Sequence, residues 1–127
     1  MRAKRVFTLV IILLSLAACS GGNDAAASSV EAYFEALVNK NIEQLINHSC
    51  ASWEDEARPE MESFAGVETT LEGLACVVTG ESGNFTVVTC QGKILATYGE
   101  EIMEFDLSTY EYMMASEGGE WRFCGRR

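Results

Sequence analysis

The sequence predicts an α+β domain in which N-terminal helices pack on a curved antiparallel sheet of four or more strands. Apolar residues recur at helical spacing between residues 30 and 49, whereas β-branched and alternating residues dominate from Val67 onward. The chain has 127 residues, of which 48% are hydrophobic, so its length suits one domain with one core.

The helical part opens with an amphipathic pattern. Ser28 and Glu31 have the spacing of a capping box, which predicts Ser28 as the N-cap of the first helix. Polar residues 39–41 interrupt the pattern, and the same spacing resumes from Ile42 in a second short helix. A third helical piece is predicted over residues 59–64, because Pro59 is tolerated in a first turn. The apolar stripe of the first helix consists of Val30, Tyr33, Phe34, Leu37 and Val38.

The first two strands are predicted to form a hairpin. Residues 71–79 and 85–98 are rich in Val, Thr and Ile, and residues 80–84 form the predicted loop between them. In an antiparallel pair the sum of opposed residue numbers is constant. If Gly80 pairs with Thr86, the same register places Cys76 directly opposite Cys90.

The remaining strands follow after this hairpin. Residues 101–107 alternate, and the phase changes at residues 108–109, where a β-bulge is predicted. Gly118 and Gly119 predict a tight turn before a last short strand, residues 121–123. The alternation places three side chains on the core face: Met103, Phe105 and Leu107.

This order of elements resembles the nuclear transport factor 2-like, or cystatin-like, α+β roll. Residues 30–45 are similar to the opening of that family, an apolar helix, a short polar break and a second helix, and residues 119–123 are similar to its Gly-x-Trp-x-apolar last strand. The whole chain looks like small exported lipoproteins of this superfamily with four domain cysteines. The resemblance implies the fold and leaves the activity open, since this fold carries many functions.

The N-terminus predicts export with a lipid anchor. A basic stretch, residues 1–5, precedes an apolar stretch, residues 6–18, that is too short to span a bilayer. It ends in Leu16-Ala17-Ala18-Cys19, which looks like a lipobox, so Cys19 is the predicted lipidation site. We therefore expect a signal peptide at residues 1–18, a flexible tether at 19–27 and the domain at 28–127. The expected location is a bacterial cell envelope, at the outer membrane in a diderm organism.

The charge restricts the partners. With 19 acidic and 9 basic residues, the chain carries a formal charge of −10, which argues against binding of nucleic acid. Such a surface repels anionic lipid headgroups, so contact with the membrane is expected through the acyl chains on Cys19. We expect no cofactor.

The four other cysteines predict two disulfides in an exported domain. Their spacing lacks the close pairs of a zinc site, so no metal centre is expected. The favoured pairs are Cys76–Cys90 and Cys50–Cys124, although Cys124 has the opposite strand parity to Trp121 and Phe123. The alternative is Cys50–Cys76 with Cys90–Cys124.

The aromatic residues and one histidine are candidates for an internal pocket. A ketosteroid-isomerase-like site would need an acid near the end of the second helix, and residues 47–49 supply none. His48 has no orienting acid nearby in sequence, so no catalytic residue is assigned. The pocket candidates are Tyr33, His48, Trp53, Tyr98, Tyr110, Tyr112 and Trp121.

Three classes of function stay open. The favoured one is a non-enzymatic envelope domain that binds a small apolar ligand or a protein partner, including a second copy of itself through the sheet face. The second is a dehydratase- or isomerase-like enzyme that uses His48 and a tyrosine. The third is a structural accessory lipoprotein.

Overall fold

The computed structural model of the protein describes residues 21–127, with side chains from Asp24 onward. The predicted signal peptide, residues 1–18, and Cys19 lie outside this range. Within it, helices precede an open antiparallel sheet, which confirms the predicted α+β class. The elements are α1 (Gly21–Val38), α2 (Ile42–Asn47), α3 (Glu54–Glu62), β1 (Glu68–Ser82), β2 (Phe85–Tyr98), β3 (Glu101–Asp106), β4 (Glu111–Glu117) and β5 (Glu120–Arg126), with 3₁₀ turns at Ala51–Trp53 and Leu107–Thr109.

Helix α1 begins earlier than predicted. The tether expected at residues 19–27 is helical from Gly21 onward, so Ser28 lies inside the helix and is not its N-cap. Residues 25–27 are three alanines, which have the highest helix propensity, and Ala26 is fully buried in the core. The predicted apolar stripe of α1 is buried throughout.

Glu31 has a different partner from the one that the capping box predicts. Its carboxylate Oε1 accepts a hydrogen bond from the backbone N–H of Cys76, 3.0 Å away on β1. Because β1 is an edge strand of the sheet, this N–H needs an acceptor from outside the strand ladder. Glu31 therefore ties α1 to β1.

Polar residues mark the starts of helices α2 and α3. Asn41 caps α2, since its side chain accepts from the N–H of Gln44 at 3.1 Å. The predicted third helix is longer than expected, because α3 begins at Glu54 and encloses Pro59. The acidic residues 54–56 form the first turn of α3, where negative charge interacts favourably with the helix N-terminus.

Strand β2 organises the sheet. It pairs with β1 along one edge, whereas the other edge pairs with β4 through residues 86–89 and with β3 through residues 93–98. Strand β5 continues the sheet beyond β4. A 3₁₀ turn lies between β3 and β4, where a bulge was predicted. It allows both β3 and β4 to pair with the same edge of β2.

The β1–β2 hairpin keeps the predicted register at the cysteines although its turn is displaced. Strand β1 extends to Ser82, so the turn is shorter than the predicted loop 80–84, and Gly80 pairs with Val87 and not with Thr86. An irregularity between Val78 and Gly80 then shifts the register by one residue. As a result Cys76 and Cys90 are directly opposed, with their Cα atoms 4.1 Å apart.

A second irregularity bends β1 and β2 in the middle. It lies between Glu72 and Ala75, where Gly92 of β2 faces the extra residues of β1. Gly92 has a φ of +101°, and a Cβ built there would lie 2.7 Å from the carbonyl oxygens of Glu72 and Gly73. The close backbone approach therefore requires glycine at position 92.

Strand β3 is more exposed than predicted. Of the three side chains expected in the core, Leu107 is buried, whereas Met103 and Phe105 are 49% and 38% exposed. Phe105 pairs with Ile94, whose side chain is buried. Phe105 therefore lies on the core face of the sheet, as predicted. Its ring packs edge to face with that of Phe64, just after α3, with the two centroids 5.6 Å apart.

The outer edge of β5 is covered by the segment after α2. The N–H of Cys50 donates to the carbonyl of Phe123 at 2.8 Å, and the N–H of Phe123 donates to the carbonyl of His48 at 2.6 Å. A disulfide joins Cys50 to Cys124 at this edge. The β4–β5 register shifts at Cys124. Because a bulged residue does not follow the alternation of side chains along a strand, Cys124 can reach Cys50 although its parity differs from that of Trp121 and Phe123.

Candidate functional site

A partly open cavity of about 300 Å³ is lined by α1, the end of α3 and the side of the sheet that faces the helices. We call it the Glu60–Arg126 cavity. Five of its eleven lining residues are aromatic: Phe34, Phe64, Phe105, Tyr110 and Tyr112. Ile94 and Leu107 add aliphatic surface, and the polar residues are Glu60, Ser63, Asp106 and Arg126. An apolar wall with a few polar groups is typical of small-molecule sites.

A chain of hydrogen bonds connects the polar side of this cavity with the core. The indole N–H of Trp53 donates to the hydroxyl oxygen of Tyr33 at 3.0 Å, and the Tyr33 hydroxyl donates to Oε2 of Glu60 at 3.0 Å. The other oxygen of Glu60 accepts from Nη1 of Arg126 at 2.8 Å. Both carboxylate oxygens are thus occupied, which fixes the position of Glu60.

Arg126 lies between two aromatic rings. Its guanidinium carbon is 5.4 Å from the ring centroid of Tyr110 and 6.0 Å from that of Trp53. Burial opposes its charge, but the Coulombic attraction and hydrogen bond of Glu60 outweigh that effect and raise the pKa of Arg126. Arg126 therefore remains a cation, held in place by one carboxylate and two rings.

The two buried tyrosines remain protonated in the folded state. Burial, and next the negative charge of Glu60, hold the pKa of Tyr33 well above its usual range. Burial also raises the pKa of Tyr112, whose hydroxyl donates to the carbonyl of Leu107 at 2.6 Å. Both hydroxyls thus serve as hydrogen-bond donors and not as bases.

Asp106 ends β3 at the edge of the cavity, opposite Lys93 of β2. Its Oδ1 accepts from the hydroxyl of Ser108 at 2.6 Å and from the Ser108 N–H at 2.9 Å. These two hydrogen bonds lower the pKa of Asp106, the hydroxyl contributing most. The group is therefore ionised at neutral pH.

The structure distributes the predicted pocket residues over three places. Tyr110 and Tyr112 line the Glu60–Arg126 cavity, and Tyr33 and Trp53 lie behind it in the hydrogen-bonded chain. Tyr98 ends β2 away from the cavity, with its side chain exposed. The structure thus brings four of these seven side chains together.

His48 and Trp121 share a separate, more open cleft of about 620 Å³ beside α2 and the β4–β5 turn. Arg122 crosses it, since its Nη1 donates to the carbonyl of Asn47 at 2.5 Å. In the described part of the chain, the side chains lining this cleft include no tyrosine. The pair of His48 and a tyrosine that was considered for catalysis is therefore not assembled there.

The ion pair of the site, Glu60 with Arg126, was missed by sequence reasoning. Glu60 stands among several acidic residues, so nothing in the local sequence distinguishes it from a solvated glutamate. Arg126 lies beyond the predicted last strand, residues 121–123. Extending that strand through the bulge at Cys124 would have placed Arg126 opposite Tyr112, on the side of the core.

Comparisons with known proteins give little further information. No family model and no curated protein matches the chain. Among solved structures, the chain is similar to the structure of Bd1075 from Bdellovibrio bacteriovorus, with 11% sequence identity and a TM-score of 0.47. The alignment covers 77% of this chain and 36% of the other, so this chain spans about a third of that protein.

No helix between residues 21 and 127 combines the length and the hydrophobicity needed to cross a bilayer.

Proposed function

We propose that the protein is an exported, lipid-anchored envelope domain of the nuclear transport factor 2-like type that binds a small apolar ligand. The observation that carries the ligand-binding part is the Glu60–Arg126 cavity. Its aromatic wall and its volume of about 300 Å³ suit a small molecule, and its charged side chains are held in place by Tyr33 and Trp53.

The anchoring part is supported by the N-terminal sequence and by the position of α1. Helix α1 includes Gly21, two residues after Cys19 in the sequence, so acyl chains on Cys19 would hold the domain close to the membrane. Intact-mass analysis of protein from a bacterial host should show loss of residues 1–18 and added acyl mass. Cys19→Ser should release the domain or block its processing; an unacylated mature protein from a host with working lipoprotein processing would contradict the anchor.

Ligand binding is tested with N-phenyl-1-naphthylamine, a neutral apolar dye whose fluorescence rises on leaving water. We expect saturable binding of one dye per chain. Tyr110→Ala should lower the affinity about fivefold or more, since it removes a wall of the cavity. Tyr98→Ala is the matched control, because Tyr98 is also exposed but lies outside the cavity. Absence of saturable binding, or equal effects of the two variants, would refute the proposal.

A second candidate function is partner binding through the sheet, including a homodimer. Val77 on β1 and Ile102 on β3 are 59% and 63% exposed, and exposed apolar side chains are common at protein interfaces. Light scattering of the purified domain tests the homodimer. A dimer that Val77→Ser or Ile102→Ser converts to a monomer would support it, and a parent protein that is monomeric at high concentration would exclude it.

A further inference from the structure

One side of strand β3 has no partner strand in the described part of the chain. Residues 101–106 pair with β2 on one side only. Strand β5 does not reach the other side, because the pairing along the outer edge of β4 ends at Glu111. Among the described residues, none of the backbone hydrogen bonds outside the regular elements involves residues 101–106. We call this open side of residues 101–106 the β3 edge.

Backbone donors and acceptors point outward along the β3 edge. Residues 99–100 alone separate β2 from β3, so Tyr98 and Glu101 close a two-residue turn and form a hydrogen-bonded pair. Hydrogen-bonded and non-hydrogen-bonded pairs alternate along an antiparallel ladder. The N–H and C=O groups of Ile102 and Glu104 are therefore directed away from β2, where an added strand can pair with them.

The β3 edge also concentrates exposed apolar surface. All six residues of β3 are exposed, and three of them, Ile102, Met103 and Phe105, are large apolar residues. Met103 and Phe105 lie on the core face of the sheet, opposite the buried residues Ala96 and Ile94 of β2. An open strand edge beside exposed apolar side chains is a site at which another chain can add as a strand.

The outer face of the sheet carries an excess of carboxylates beside this edge. The ammonium of Lys93 donates to Glu104 at 3.0 Å, and Glu72 of β1 and Asp106 of β3 are its cross-strand neighbours. The hydrogen bond of Glu104, and then the negative charges of Glu104, Glu72 and Asp106, raise the pKa of Lys93. Three carboxylates thus share one ammonium, and this face keeps a net negative charge.

The same charges favour a different protein over a second copy of this chain. Two β3 edges paired with each other would bring Glu101, Glu104 and Asp106 of both copies together. Like charges across a strand pair are destabilising. The formal charge of −10 also opposes self-association and attracts cationic segments. Charge complementarity therefore calls for a basic partner strand.

We propose that the β3 edge binds an extended segment of another protein, in which basic and apolar residues alternate, as an added strand of the sheet. Alternate side chains of a strand point to opposite faces. The basic side chains would therefore lie on the face of Glu104 and Asp106, and the apolar ones on the face of Met103 and Phe105. This inference rests on the second candidate function, partner binding through the sheet, and specifies the chemistry of the partner.

The experiment measures binding of three fluorescent octapeptides by anisotropy, with protein of residues 19–127 that carries Cys19→Ser and includes every described element. One peptide alternates lysine and valine, one alternates glutamate and valine, and one is the lysine–valine peptide with all its backbone nitrogens methylated. We expect saturable binding of one lysine–valine peptide per chain. The glutamate–valine peptide should bind about tenfold more weakly or worse, because its charges are repelled. The methylated peptide should lose about tenfold or more, because it keeps the charges but has no backbone donors.

Two proline variants locate the bound peptide. Glu104→Pro removes an outward N–H from the β3 edge without removing a hydrogen bond to β2, and it should weaken the lysine–valine peptide about tenfold. Glu81→Pro is the matched control, because it removes one glutamate and, by the same alternation from the 82–85 turn, one outward N–H from the edge strand β1. It should change the affinity less than about twofold. Circular dichroism checks that both variants fold, and the methylated peptide tests the same hydrogen bonds on the parent protein.

Four outcomes would overturn the inference, each at a different step. Equal binding of the glutamate–valine peptide would refute the basic character of the partner and leave partner binding through the sheet standing. Equal binding of the methylated peptide, or equal effects of the two proline variants, would show that overall charge holds the peptide and that no strand is added. Self-association of the parent in light scattering that only Glu104→Pro abolishes would assign the edge to a second copy. If no peptide binds and the parent is monomeric, partner binding through this edge is wrong as well, whereas dye binding in the cavity is unaffected.

Discussion

The guanidinium of Arg126 on β5 donates to the carboxylate of Glu60 on α3 at 2.8 Å, which joins the last strand to the helical layer. Sixty-six positions separate the two residues along the chain. The same carboxylate accepts from Tyr33 of α1, so three elements meet at one side chain. Charge-assisted hydrogen bonds of this kind are stronger than neutral ones, and this one lies in the wall of the cavity.

Glu60→Gln should destabilise the domain by about 1–2 kcal/mol, because it leaves the half-buried Arg126 without its carboxylate. The expected loss of stability is smaller than for a fully buried ion pair, because water screens the exposed part of Arg126. Urea unfolding followed by tryptophan fluorescence measures the change. Glu62→Gln, on the exposed side of the same helix, is the control and should stay within about 0.5 kcal/mol of the parent. Equal stabilities of the two variants would contradict a structural role for the pair.

The buried tyrosines predict loss of stability at alkaline pH. Because the pKa of Tyr33 is raised in the folded state, its contribution is complete below the unfolded value of 10.0 and is lost as the pH rises beyond it. Above pH 10, stability should fall by up to about 1.4 kcal/mol per pH unit for each such tyrosine. Tyr33→Phe should reduce that slope, and urea unfolding between about pH 8 and pH 11 measures it.

Tyr33→Phe should also lower stability below pH 10 by about 1–2 kcal/mol, because Glu60 loses a donor and the Trp53 N–H loses an acceptor. This second effect is independent of pH in that range and is therefore separable from the change in slope. Identical pH dependence in the parent and the variant would show that Tyr33 is not the group responsible.

Gly92→Ala should be among the most damaging small substitutions. The added Cβ would contact the backbone of Glu72 and Gly73 at 2.7 Å, and φ of +101° is unfavourable for alanine. We expect a loss of about 3 kcal/mol in the free energy of unfolding. Gly99→Ala is the matched control, since Gly99 also has positive φ, +63°, but nothing lies near its Cβ position. It should cost about 1 kcal/mol, and a similar loss in both variants would show that the close approach is unimportant.

The sequence predicted the fold class because its two periodicities are strong and local. The buried stripe that runs from Val30 to Val38 is a helical pattern within nine residues, and it needs no knowledge of the rest of the chain. The start of α1 was missed because Ser28 and Glu31 match a capping box by spacing alone. Whether Glu31 caps its own helix or binds Cys76 depends on where β1 lies, 45 positions away.

The site was only partly predictable, because it depends on contacts between residues that are far apart in the sequence. Aromatic residues such as Tyr110 and Tyr112 were suspected because large apolar side chains line most cavities. The pairing of Glu60 with Arg126 depends on the bulge at Cys124, which sets the face on which Arg126 lies. A bulge of one residue reverses every later side chain of a strand, and the local signal for it is weak, a single glycine at position 125 beside Cys124.

Two disulfides, Cys50–Cys124 and Cys76–Cys90, define a connectivity that peptide mapping can test. A glutamate-specific protease cuts between all four cysteines, so a non-reducing digest should link peptide 44–54 to 121–127 and peptide 73–81 to 82–100. A link between 44–54 and 73–81 would contradict this connectivity, and four free thiols would refute both bonds.

Removing the bonds one at a time should have unequal effects. The bonds close loops with sequence separations of 74 and 14 residues, and the chain-entropy model then gives losses of about 4 and about 3 kcal/mol. Replacing Cys50 and Cys124 together by alanine should therefore lower the urea midpoint more than replacing Cys76 and Cys90. The Cys50–Cys124 disulfide also holds residues 48–50 against Phe123. Loss of this disulfide should therefore speed amide hydrogen exchange at the edge of β5. Exchange at Phe123 that stays as slow as in the parent would show that backbone pairing alone closes this edge.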